Sequence, residues 1–202
     1  MRGILLLSIA VATIIFVPLE VWADDDMQWD ELRIWKESAD NKIPVLIIRD
    51  AKVSETQVDI VEDAINSKEK NTGRTLFMGW NEGIKEISNS FGVDVPTLEI
   101  QHKLDRTEAI TIFLKDKPSQ NNFNGYTNLF YDKNGKIQRA LVTIYDTDEL
   151  NKTELESIIR HELGHALGLG HTNVENDLMQ PKINMNFNAI SLLDLQALAN
   201  IY

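Results

Sequence analysis

The sequence predicts an α+β domain, and three observations carry that prediction. Short apolar runs rich in β-branched residues occupy the first two thirds, and amphipathic stretches with cap signals recur between and after them. An Asn-Gly pair also separates two strand-like runs. The chain has 202 residues, 43% hydrophobic and 25% charged, enough for one good core and hence one domain.

Residues 1–23 do not read as part of that domain. Arg2 gives a positive start, and Ile4 to Val17 is apolar except for Ser8 and Thr13. Pro18 breaks the run, and Val21-Trp22-Ala23 places a small residue before three aspartates. That order is a secretory signal pattern, so the chain is expected to be secreted or extracellular. The apolar run is short for a membrane span of about 20 residues; retention of an uncleaved segment as an anchor is the alternative. Residues 24–42 are acidic and contain Trp29 and Trp35. They are a lead-in that packs on the domain, a short stalk or a small pro-segment, and the domain itself is assigned to 43–202.

The elements follow in order. Pro44 to Arg49 reads as a buried strand. Ser54 caps a helix to about Ser67, with Val58, Val61, Ala64 and Ile65 on one face. Lys68 to Arg74 is a charged loop. A second helical stretch is predicted near Leu76 to Ile87, where Phe77, Trp80, Ile84 and Ile87 fall at helical spacing. Leu98 to Lys103 and Ala109 to Leu114 look like strands, and Lys115 to Asn124 is a polar loop. Tyr126 to Tyr131 and Ile137 to Tyr145 flank Asp132-Lys133-Asn134-Gly135, a hairpin turn that is also a candidate for calcium. Thr153 with Glu156 reads as a capping box for the next helix. Asn151-Lys152-Thr153 also matches a glycosylation acceptor. A last helix is predicted for about Ala189 to Ile201, with Ile190, Leu193, Ala197 and Ile201 on one stripe.

Charge and cysteine content exclude several functions. A net charge of −11 argues against a nucleic-acid partner and against an anionic membrane surface. There is no cysteine, so neither disulfides nor thiolate metal ligands contribute. Stability must come from the core and from bound metal.

The chemistry is concentrated in His161-Glu162-Leu163-Gly164-His165-Ala166-Leu167-Gly168-Leu169-Gly170-His171. On a helix, His161 and His165 share a face and can offer ring nitrogens to one zinc ion. Glu162 lies beside them, within reach of a metal-bound water, and is the candidate catalytic base. His171 can join only if the chain leaves the helix and turns back, and Gly168 sits where that turn needs positive φ. Three ligands leave a fourth position open, the arrangement of a catalytic zinc. Five fixed positions at ~5% usage recur by chance on the order of 10⁻⁴ times in ~200 windows. His102, the fourth histidine of the chain, lies alone in a predicted strand and reads as a packed or surface residue.

The segment HExxHxxGxxH resembles the extended zinc motif of the metzincin metallopeptidases. Asp177-Leu178-Met179-Gln180-Pro181 is similar to the methionine turn of that group. Thr172 after the third histidine, the Met-x-Pro order and the segment Asp194 to Tyr202 resemble the matrixins in particular. The resemblance covers about Pro44 to Tyr202, specific at the site and only topological before residue 125. It implies a twisted five-stranded mixed sheet, two long helices and a C-terminal helix after the methionine turn. It also implies an antiparallel edge strand along the cleft, by order Tyr126 to Tyr131, and Met179 as an apolar floor beneath the histidines. The implied activity is zinc-dependent endopeptidase action by a monomer on protein or peptide substrates, in a secreted or extracellular-matrix setting. Three departures stand out. Without cysteine, the family's cysteine-based latency is impossible. Without histidine in Lys115 to Gly125, the second zinc of animal matrixins is not expected. No tyrosine follows Pro181 at the family's usual position, which alters one wall of the specificity pocket.

Overall fold

Strand β1 (Lys42–Arg49) forms where the acidic lead-in gives way to Ile-Pro-Val-Leu-Ile-Ile, a run that fits a pleated surface covered on one side. The computed structural model describes residues 29–71, 76–104, 106–121 and 123–202. The signal-like segment 1–23 lies outside the described residues. Helix α1 (Glu55–Asn66) follows, capped by Ser54 in a reciprocal box with Gln57, and buries Ile60, Val61, Ala64 and Ile65.

The next stretch departs from its helical spacing. Lys70–Asn71 forms a short strand, β2, antiparallel to β3 (Leu76–Phe77). Helix α2 (Trp80–Phe91) begins only after Gly79 and runs to Gly92. Phe77, expected on a helix face, instead exchanges backbone hydrogen bonds with Ile190 at 2.9 and 2.8 Å. The periodicity of Trp80, Ile84 and Ile87 was real, but Phe77 is buried as a strand residue.

Strands β4 (Thr97–Ile100), β5 (Ala109–Leu114), β6 (Gly125–Tyr131) and β7 (Ile137–Ile144) complete the main sheet. Its order is β4-β1-β5-β7-β6, parallel except for β6, which runs antiparallel to β7 at the edge. β4 is shorter than expected, and His102 sits exposed in the bend after it. The β6–β7 connection is a hairpin closed by Asp132, whose Oδ1 accepts the N–H groups of Asn134 (2.7 Å) and Lys136 (3.0 Å). Gly135 takes the left-handed conformation that the turn requires.

Helix α3 (Lys152–Leu167) packs against α1, β6 and β7, and helix α4 (Leu192–Ile201) packs against α2. The capping box of α3 lies two residues earlier than expected: Asn151 is the N-cap and Glu154 its partner. Glu156 is buried instead, bound to Asn188 and paired with Arg160. α4 starts at a Ser191–Asp194 box, so Ile190 lies before it, and Leu195, Ala197 and Leu198 line its buried side. The implied five-stranded mixed sheet is therefore present. α1 and α3 stand with α4 after the methionine segment, and α2 is additional to the two long helices implied. One core runs through sheet and helices, from Val45 and Ile112 to Leu163 and Leu198.

Candidate metal centre

Twelve of the sixteen residues of α3 are buried, so the helix enters the core rather than lying on it. It ends at Gly168, whose φ of 109° is open to glycine at little cost. The Gly168 and Leu169 N–H groups turn back onto the carbonyls of His165 and Gly164, at 2.9 and 3.0 Å. The chain thereby reverses, and His171 returns to the face that carries His161 and His165. One nitrogen from each of the three rings lies within 4.8 Å of the others. The ring centroids are 4.6, 4.7 and 5.5 Å apart.

Two of the rings are oriented by hydrogen bonds at Nδ1. That of His161 is 2.7 Å from the Leu178 carbonyl oxygen, and that of His165 is 2.9 Å from the Leu169 carbonyl oxygen. A carbonyl only accepts, so these Nδ1 atoms carry the proton and leave Nε2 as a bare lone pair. The Nδ1 of His171 faces the Asp30 carboxylate at 3.5 Å. Burial, reinforced by His165 alongside, pushes the His161 imidazole down to about 3, and burial also lowers His165. Three imidazoles, two of them held neutral by burial, form the donor set that zinc prefers, so the residues present fit that metal.

Glu162 is outside the three-ring cluster but lines the same cleft, 4% exposed. Burial raises its carboxyl to about 7, opposed by the Thr127 hydroxyl, which donates to Oε2 at 2.6 Å. The cleft measures about 1010 Å³ and runs along β6 from Gly125 to Leu129, with Pro181 and Ile183 on another side. Met179 is fully buried, its sulfur against Gly164 between the two helical histidines. A Cβ at Gly164 would overlap that sulfur and come 3.0 Å from Met179 Cε. The methionine turn is tied in place from several directions. Thr172 N–H donates to the Met179 carbonyl at 3.0 Å, and Met179 N–H donates to Asp177 Oδ1 at 3.0 Å.

A sequence model of the matrixin family matches residues 20–202. The chain belongs to the matrixin family. Over 71 residues, 34% of the chain, it is 34% identical to Metalloendoproteinase 5-MMP of Arabidopsis thaliana, covering 18% of that protein. Over 51 residues it is 39% identical to Metalloendoproteinase 2-MMP of the same plant, covering 24% of the chain and 14% of that protein. The matched stretch thus spans less than a fifth of either relative. Among solved structures, metalloproteinase-II from Bacteroides fragilis aligns with a TM-score of 0.37 at 14% identity, over 79% of this chain and 53% of that one. High choriolytic enzyme 1, a hatching enzyme zinc-protease from Oryzias latipes, aligns at 0.33 and 14%, over 74% and 52%.

The structure brings together in this matrixin His161, His165, His171, Glu162, Gly168 and Met179, all singled out from sequence. It adds residues that the sequence did not point out. Thr127 is an ordinary strand threonine until β6 is seen beside α3. Gly164 carried a signal, since glycine inside a helix costs about 1 kcal/mol relative to alanine and asks for a packing reason. Asp177 and Asp194 form a buried carboxyl pair bridged by the Ser191 hydroxyl, at 2.8 and 3.0 Å. Burial and the neighbouring Asp177 raise Asp194 well above the usual carboxyl range.

Proposed function

We propose that this matrixin is an exported zinc-dependent endopeptidase, with His161, His165 and His171 as the ligands of one zinc and Glu162 as general base. The observation that carries the proposal is the convergence of three ring nitrogens within 4.8 Å, in a cleft that Glu162 and the edge strand β6 also line. Zinc, when bound there, acidifies water and polarises a carbonyl oxygen. Glu162 accepts a proton from the attacking water and returns it to the leaving nitrogen. Thr127 occupies Oε2 and so turns Oε1 toward that task. The outer edge of β6 has no strand partner among the described residues, and a substrate backbone can pair with it in extended form. Protein or peptide substrates follow from that geometry. Export rests on residues 1–23; among the described residues no helix is long and apolar enough to cross a membrane.

The test is Glu162→Gln in the full chain, assayed on a denatured protein with and without a zinc chelator. Zinc content and melting temperature should stay as in the wild type. Peptide cleavage should fall by about 10²–10⁴-fold, the contribution of general acid–base catalysis. Loss of zinc would make Glu162 a ligand, and retained cleavage would remove it from the chemistry. A wild-type chain that binds zinc and never cleaves would mark a peptide-binding protein instead.

A further inference from the structure

We propose that the lead-in is a working part of the metal site, with Asp30 as the positioning carboxylate of His171. The proposal rests on the assignment of His171 as a zinc ligand. His161 and His165 orient their rings on carbonyls of the methionine turn and of the turn after α3, close to home. His171 finds its acceptor 141 residues upstream. One Asp30 carboxylate oxygen accepts the His171 backbone N–H, and the other faces its ring Nδ1 at 3.5 Å. The Asp30 N–H also donates to the His171 carbonyl at 3.0 Å, so the residue is held at its N–H and its C=O while the carboxylate faces its ring.

The rest of the lead-in follows the same path. Trp29 bridges to Thr172, and Arg33 N–H donates to the Gly168 carbonyl at 2.8 Å. Trp35 Nε1 donates to the Ala166 carbonyl at 2.7 Å, and Trp35 N–H donates to the Tyr202 hydroxyl at 3.1 Å. The turn is shaped to receive this segment. Gly170 has an ordinary backbone conformation, so local geometry does not call for glycine there. A Cβ at Gly170 would overlap the Asp30 carbonyl oxygen, and one at Gly168 would overlap that of Arg33.

The consequence is chemical. A carboxylate on Nδ1–H fixes the tautomer and raises the basicity of the ligating nitrogen, and loss of such a partner lowers metal affinity about 10–100-fold. His171 is the ring that most needs it, because it rides on a turn and is 34% exposed. Asp30 itself is 62% exposed, so its contribution to the stability of the metal-free fold is small.

The test is zinc competition against a chromophoric chelator, with the full chain and its Asp30→Asn, Gly170→Ala and Glu37→Gln variants. Asn at 30 keeps an acceptor for the backbone N–H and turns an NH2 donor toward Nδ1, so both the charge and the acceptor there are lost. Glu37 is a lead-in acid paired with Lys136 and not with His171. Asp30→Asn and Gly170→Ala should hold zinc about 10–100-fold more weakly, with Asp30→Asn melting like the wild type when metal-free. Glu37→Gln should bind zinc as the wild type does. Wild-type zinc affinity in Asp30→Asn would overturn the proposal, as would an equal loss in Glu37→Gln, which would make the effect one of general charge. Failure of the wild type to take up zinc would instead overturn the metal assignment beneath it.

Discussion

His161 and His165 ride on a helix that is mostly buried in the core, whereas His171 rides on an irregular turn secured by distant backbone. The first pair inherit their positions from packing that the protein needs in order to fold. The third is placed by hydrogen bonds that serve no core, from the methionine turn on one side and the lead-in on the other. Folding and metal binding are thus coupled unevenly across one site. On the proposed metal assignment, the helical side would be built whether or not metal arrives, and the turn side would gain its last restraint from the ion.

The largest separation of the two sides is expected from ligand removal. Both His161→Ala and His171→Ala should lose the one equivalent of zinc. Only His161→Ala should also destabilise the metal-free protein, by about 2–4 kcal/mol, because its buried ring packs in the core and holds the Leu178 carbonyl. Equal melting temperatures for the two metal-free variants would break the comparison.

A smaller effect is expected at Gly164, on the helical side. Gly164→Ala drives a methyl into Met179 and should lower the urea midpoint by the equivalent of about 1–3 kcal/mol, in spite of alanine's better helix propensity. An increase in stability would mean that the methionine floor gives way freely.

The smallest effect, and one that depends on pH, concerns Asp194 behind the methionine turn. Its folded-state carboxyl is raised, so the stability linked to it is fully present below the unfolded value and is lost as pH rises. Asp194→Asn should therefore match the wild type near pH 4 and exceed it increasingly toward neutrality. A constant difference from pH 4 to pH 8 in denaturant melts would reject the link.

Much of the site was legible because it is local in sequence: helical spacing aligns His161 with His165, and a glycine at 168 announces the turn. The sheet was legible too, since β5, β6 and β7 are β-branched or aromatic runs bounded by turn residues. Boundaries failed where tertiary pairing overrode a local pattern. Phe77 fits the helical stripe of Trp80 and Ile84, yet its backbone is claimed by Ile190 across more than a hundred residues. The Thr153–Glu156 spacing was right for a cap, but Glu156 had a buried partner in Arg160, and Asn151 with Glu154 met the same chemical need two residues earlier. Asp30 and Thr127 could not have been found from sequence. Nothing about a lone acid in an acidic segment, or a threonine in a strand, says which histidine or glutamate it will meet.

The Trp35 indole and backbone reach Ala166 and Tyr202 across 131 and 167 residues. Contacts of such span close late, after the entropy of the intervening loop has been overcome by nearer ones. The turn that carries His171 is stitched by neighbouring contacts of similar span, Asp30 to His171 and Arg33 to Gly168. The turn side of the cleft is thus expected to close after the helical side, which local contacts can build early.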